Sequence, residues 1–222
     1  GSADVLEALG IPMDLPPEVT VQMVEEAGFG FFFAPRYHPA MRHAAPIRRE
    51  IGVPSVFNVL GPLANPARAP RMAVGVGDPR MAERMVGVLQ SLGKEYAFVF
   101  YGEDGLDELT TAGTSFIYRL KDGVVTHAEF TPGYFGVEPA DRSDLLGGDA
   151  AENAAITRAI LAGEPGPKRD IAIVNALPGI VAAGLADGFG DALPKAVEAI
   201  DSGSATAVLE RAVAIAAGAT GA

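Results

Sequence analysis

The chain has 222 residues, 49% hydrophobic and 20% charged, a balance that supports a folded core and excludes intrinsic disorder. Its 28 acidic and 17 basic side chains leave a formal charge of −11, which repels phosphate backbones and argues against a duplex nucleic-acid binder. Cysteine is absent, so disulfides, thiolate zinc sites, iron–sulfur clusters and thiol catalysis are excluded together. The longest apolar stretch, 171–186, contains Asn175 and Pro178 and falls short of the ~20 residues that span a bilayer. The first ten residues lack the basic start and apolar core of a secretory signal, and the expectation is a cytoplasmic protein.

In chain order, Ala3–Leu9 reads as a short helix closed by Gly10, and Pro16-Pro17 opens a second that runs to Gly28. Gly30–Ala34 reads as a short strand or buried connection stopped by Pro35, followed by a helical pattern over 39–51 and an apolar segment over 56–60. Met72–Gly77 is a candidate buried strand. Asp78-Pro79 then caps a helix whose Met81, Met85, Val88, Leu89 and Leu92 share one face. Tyr96–Tyr101 is a second strand, and Lys121-Asp122-Gly123 predicts a hairpin between 115–120 and 124–130. Asp149 and Glu152 form a capping-box pattern for a helix ending near Leu161. The remainder reads as helices over 169–185, 193–201 and 205–217, the last capped by Ser204. Strands alternating with capped helices indicate an α/β sheet covered by helices.

Two segments can carry chemistry. Glu103, Asp104, Asp107 and Glu108 crowd a turn just past a strand's carboxyl end, where α/β sheets bind ligands. Such a turn is either a solvated acidic loop or a seat for Mg²⁺, which takes one or two carboxylates and fills its shell with water and phosphate oxygens. In the segment 38–50, Arg42 and Arg49 share a helical face, whereas Arg48 points toward the small residues Ala44 and Ala45. An arginine there can grip a carboxylate in bidentate fashion, or lie on an exposed stripe. His38 and His43 are five apart, a poor spacing for a metal pair on one helix. Ser2 precedes a helix start, a weak anion site. No dinucleotide or P-loop glycine pattern and no nucleophile elbow occurs. Asn175, inside an apolar helical run, reads as a satisfied core amide.

The stretches GSADVLEALG (1–10), APRYHPAMRHAAPIRREIGVPSVFNVLGPLANPA (34–67), DGLDELTTAG (104–113), GGDAAENAAITRAILAG (147–163) and the asparagine of IVNALPGIVAAGLA (173–186) resemble, in this order, the anthranilate phosphoribosyltransferase family. The resemblance implies a nucleoside phosphorylase/phosphoribosyltransferase-like α/β domain with part of a small helical domain. The mostly helical residues 14–58 would belong in part to that small domain, and 1–13 with 59–222 to the α/β catalytic domain. It also implies transfer of the phosphoribosyl group from phosphoribosyl pyrophosphate to anthranilate, in tryptophan biosynthesis, by a Mg²⁺-dependent homodimer. Carried over by motif, Arg48 grips the anthranilate carboxylate, Asp107 and Glu108 serve Mg²⁺, and Ser2 contacts phosphoribosyl pyrophosphate. Pro35 and His38 would line the anthranilate channel.

Two family segments that cradle phosphoribosyl pyrophosphate, Gly-Thr-Gly-Gly-Asp and Lys-His-Gly-Asn, precede GSAD in the family and do not occur here. The expectation is therefore the C-terminal portion of a longer enzyme, inactive by itself. The alternatives on the same resemblance are a pyrimidine nucleoside phosphorylase-like enzyme and a non-catalytic relative that binds nucleic acid, the latter opposed by the net charge.

Overall fold

In the computed structural model, which describes residues 1–39 and 61–220, both apolar runs near 72 and 96 become strands. They are β1 (Arg71–Gly75) and β2 (Tyr96–Gly102), and the hairpin becomes β3 (Ser115–Lys121) and β4 (Val124–Phe130). Among the described residues the α-helices include, in chain order, α1 (Ser2–Leu9), α2 (Pro17–Gln22, continued by a wider helical turn over Met23–Ala27), α3 (Ala34–Tyr37), α4 (Pro79–Ser91), α5 (Ala150–Leu161), α6 (Pro167–Ala182), α7 (Phe189–Asp201) and α8 (Ser204–Thr220). The helix expected over 39–51 and the segment 56–60 fall, but for Pro39, outside the described residues, and Arg48 with them.

Contacts group the chain into two units. One comprises 1–68, 147–158 and 203–222; the other comprises 69–146 and 159–202. The segment 14–58 thus falls in one unit together with residues 1–13 and the last helix.

The second unit holds the sheet, in the order β1-β2-β3-β4. β1 and β2 run parallel, with Val74 opposite Val99, because a full helix, α4, carries the chain from one to the other. The later strands are antiparallel, joined by a tight turn in which Asp122 and Gly123 adopt φ of 51° and 77°. Buried on both faces, β2 alternates Tyr96, Phe98 and Phe100 into one layer and Ala97 and Val99 into the other. The aromatic layer packs against Ile173, Val174 and Leu177 of α6 and Phe189 and Ala192 of α7. Burying each such side chain contributes about 1.5–3 kcal/mol. Helix α4 starts where the sequence indicates, because the Asp78 side chain accepts the Arg80 N–H at 3.0 Å and Pro79 has no N–H to satisfy.

The first unit is helical around Ile11, Met13, Leu15, Met23, Ala27, Ala212 and Ala216. Gly10 closes α1 with φ 105°, close against Val213. The capping box of α5 is reciprocal, with Glu152 N–H on Asp149 and Asp149 N–H on the Glu152 carboxylate, both at 2.9 Å.

Several boundaries differ from expectation. Of the two readings of 30–34, strand or connection, the connection is observed: Phe31–Phe33 are half-buried loop, and Pro35 enters the first turn of α3. Proline's fixed φ suits that position. Helix α7 begins at Phe189 rather than Leu193, with Pro194 inside it; the i−4 carbonyl left without its N–H belongs to exposed Gly190, where water can serve it. Helix α6 starts at Pro167 and ends at Ala182, where the Arg71 guanidinium donates to the Ala183 carbonyl at 3.0 Å and satisfies the helix end.

Candidate functional site: an acidic turn braced by a glycine and an amide

Residues 102–115 leave the carboxyl end of β2 and return as β3. Their path is fixed mostly by the turn itself. The Gly102 N–H donates to the Leu106 carbonyl at 2.9 Å, and Gly105 adopts φ 85°. The Thr110 hydroxyl donates to the Asp104 carboxylate at 2.9 Å and accepts the Ala112 N–H at 2.9 Å. The Thr110 N–H donates to the Ser115 hydroxyl, also at 2.9 Å. Asp104 is therefore committed to holding the turn, which leaves Glu103, Asp107 and Glu108, and of these three two are neighbours in the chain and form a pair.

That pair is Asp107 and Glu108, both exposed. Neither carboxylate has a hydrogen bond or ion pair with a described residue. Partial desolvation of the Glu108 carboxyl, reinforced by the Asp107 and then the Asp104 carboxylate, raises its pKa above the ordinary glutamate value. Unrelieved like charge of this kind favours a cation. Among the described residues no three His, Asp or Glu converge as a protein-only metal site. A two-carboxylate, hard-oxygen set still fits Mg²⁺, which completes its shell with water and phosphate.

Two backbone contacts set the pair in place. On one side lies Gly75, the last residue of β1, where a Cβ would run into the Asp107 carbonyl. On the other lies Asn175 of α6. Its Oδ1 accepts the Leu109 N–H at 2.8 Å, and its Nδ2 donates to the Leu109 carbonyl at 2.8 Å and the Ile171 carbonyl at 2.9 Å. Asn175, expected as an amide satisfied within the core, is half-buried, and its bonds hold the acidic turn. The signal was a lone amide in an apolar helix face. Gly75 was missed, although glycine inside an apolar strand marks a close backbone approach.

Thr111 completes the turn, its hydroxyl fully buried and without a partner among the described residues. Such a group carries its desolvation cost uncompensated. Thr111→Val is expected to be neutral or to stabilise by about 1 kcal/mol in chemical denaturation, and a loss of that size would show a hidden partner.

The other expected site residues lie in the first unit. Ser2 is the exposed first residue of α1. Pro35 is exposed in α3, and His38 is half-buried just after it, its N–H on the Ala34 carbonyl at 2.9 Å. Among the described residues of the sheet unit, a cavity of about 260 Å³ is lined by Tyr96, Phe98, Phe130, Phe189 and Arg119, among others. No residue of the acidic turn reaches it, so it is a separate feature.

Residues 1–206 match the family model described as "Glycosyl transferase family, a/b domain". The chain belongs to this glycosyl transferase family. The domain is 50% identical over 210 residues to an anthranilate phosphoribosyltransferase of Desulfatibacillum aliphaticivorans, covering 95% of this chain and 62% of that protein. Among solved structures it superposes on anthranilate phosphoribosyltransferase from Thermus thermophilus with a TM-score of 0.91 and 42% identity, covering 98% of this chain and 64% of that one. The Saccharomyces cerevisiae anthranilate phosphoribosyltransferase, solved in complex with PRPP and Mg, matches with a TM-score of 0.88 and 26% identity, over 98% of this chain and 63% of that one. The expected phosphoribosyltransferase-type α/β fold is thus the one observed. The chain spans 62% of the length of the bacterial relative. Among the described residues no helix is long and apolar enough to cross a membrane.

Proposed function

We propose that this domain serves transfer of the phosphoribosyl group from phosphoribosyl pyrophosphate to anthranilate, giving N-(5-phosphoribosyl)anthranilate and pyrophosphate. The observation that carries the reading is the unpaired Asp107–Glu108 couple at the end of β2, in a chain half identical to an enzyme of that name. In the reaction the anthranilate nitrogen forms a bond to the ribosyl C1, the bond from C1 to pyrophosphate breaks, and the ammonium proton leaves to solvent. Bound Mg²⁺ supplies Lewis-acid neutralisation of the departing pyrophosphate. Asp107 and Glu108 would hold that ion, on a turn that Asp104 braces through Thr110 and Asn175 through Leu109. The aromatic amine is already a nucleophile with a free lone pair, so the chain needs no strong general base.

In this reading Arg48 orients the anthranilate carboxylate, Ser2 contacts the phosphoribosyl substrate, and Pro35 and His38 border the aromatic substrate's path. Residues 14–58 belong in part to the small helical domain in this reading, and 1–13 with 59–222 to the α/β catalytic domain. A homodimer in the cytoplasm belongs to the same proposal.

The test is product formation from anthranilate and phosphoribosyl pyrophosphate by a protein carrying these residues. Phosphorolysis of thymidine in its place would assign a nucleoside phosphorylase instead. Arg48→Ala is expected to raise the KM for anthranilate roughly 10- to 100-fold, the worth of a charge-assisted hydrogen-bonded pair, with little change for phosphoribosyl pyrophosphate. Equal changes in both constants would remove Arg48 from this role.

A further inference from the structure

We propose that Asn175 is a positioning residue that aims the Asp107–Glu108 pair at its cation, an inference that rests on the metal reading above. Its amide takes both the N–H and the C=O of Leu109, so it fixes the orientation of that residue rather than merely its distance. The Leu109 nitrogen is bonded to the Glu108 carbonyl carbon, and holding it sets the peptide plane from which the Glu108 side chain departs. The third bond, to the Ile171 carbonyl, ties the amide to its own helix and settles which end is oxygen. Only one orientation of the amide serves an N–H and two carbonyls together. Leu109 is fully buried beneath the amide, so its backbone groups are shielded from solvent while Asn175 holds them. With the Asp107 carbonyl seated on Gly75, the pair is gripped by backbone on one side and by an amide on the other.

The same groups would be silent toward a cation if Asn175 only stabilised the fold. The two roles separate in a binding measurement. Mn²⁺, standing in for Mg²⁺, is titrated with inorganic pyrophosphate present and followed by electron paramagnetic resonance, below the unfolding temperature. Asn175→Ala removes the clamp, and Asn175→Gln keeps an amide but lengthens its reach. Leu89→Ala, a truncation of a fully buried side chain on α4, reports what lost stability does by itself. Both Asn175 variants are expected to weaken Mn²⁺ binding about 10- to 100-fold, the usual effect of removing support behind a metal ligand, while Leu89→Ala leaves it unchanged. Wild-type Mn²⁺ affinity in folded Asn175→Ala and Asn175→Gln would overturn the proposal. Failure of both to fold would also do so, since Asn175 would then serve stability. Mn²⁺ binding that survives Asp107→Asn with Glu108→Gln would instead show that the metal reading is wrong, and this inference would fall with it.

Discussion

In an active protein that carries these residues together with the family's phosphoribosyl pyrophosphate-binding segments, replacing Asp107 with Asn and Glu108 with Gln is expected to lower turnover about 1,000-fold and to flatten its dependence on Mg²⁺. The figure follows from removing several kcal/mol of charge stabilisation from a departing pyrophosphate, at about 1.4 kcal/mol per tenfold. Both substitutions keep shape and volume. Neither side chain holds up the described structure, so stability is expected to stay near wild type, or to rise slightly as the burial of a charged Glu108, and then its repulsion with Asp107, disappear. Asp104→Ala supplies the contrast. It removes the acceptor of the Thr110 hydroxyl and is expected to act first on stability. Initial rates across a Mg²⁺ series check the assignment. An unchanged half-saturating concentration in the double variant would take the pair out of the chemistry.

Gly75→Ala is expected to destabilise the protein by about 3 kcal/mol, at the upper end of ordinary overpacking costs. The cause is backbone against backbone: the new methyl would overlap the Asp107 carbonyl, which no side-chain rotation can relieve. For a chain of this size that loss corresponds to a melting temperature lower by about 6–12 °C. Gly77→Ala, two residues on, is the matched control. Its Cβ would meet only the Gly105 carbonyl oxygen, at 3.8 Å, an ordinary contact, and the melting temperature is expected to hold. Equal effects at both positions would mean that the strand, rather than the seat for Asp107, responds to the substitution. Any Gly75→Ala protein that folds is also expected to bind the cation more weakly, because Asp107 must move.

What the sequence disclosed about this fold was chiefly what short-range physics decides. Asp78-Pro79, Asp122-Gly123 and the Asp149–Glu152 box each place a turn or a helix start through bonds within a few residues, and each is found where expected. The Phe31–Phe33 run left strand and connection both open, and it is a connection because apolarity by itself does not supply a neighbouring strand. Helix α7 starts four residues before the expected Leu193 because exposed Gly190, whose carbonyl Pro194 leaves without an N–H, lets the proline sit inside the helix. At the site, the acidic turn was legible from composition and position. That Asp104 is structural and that Asn175 grips Leu109 was not, since both depend on which groups the tertiary fold brings within 3 Å. Arg48 and its neighbours lie outside the described residues, and their roles rest on the motif resemblance.

The bond between Leu109 and Asn175 joins positions 66 apart in the chain. During translation the segment that bears the acidic pair therefore leaves the ribosome on the order of several seconds before the helix that secures it, at usual elongation rates. Until that helix docks, the nascent turn has its internal bonds but no outside anchor, and cation capture becomes a late event in the life of the polypeptide. An excised peptide covering only the turn would for the same reason be a poor mimic of the finished protein.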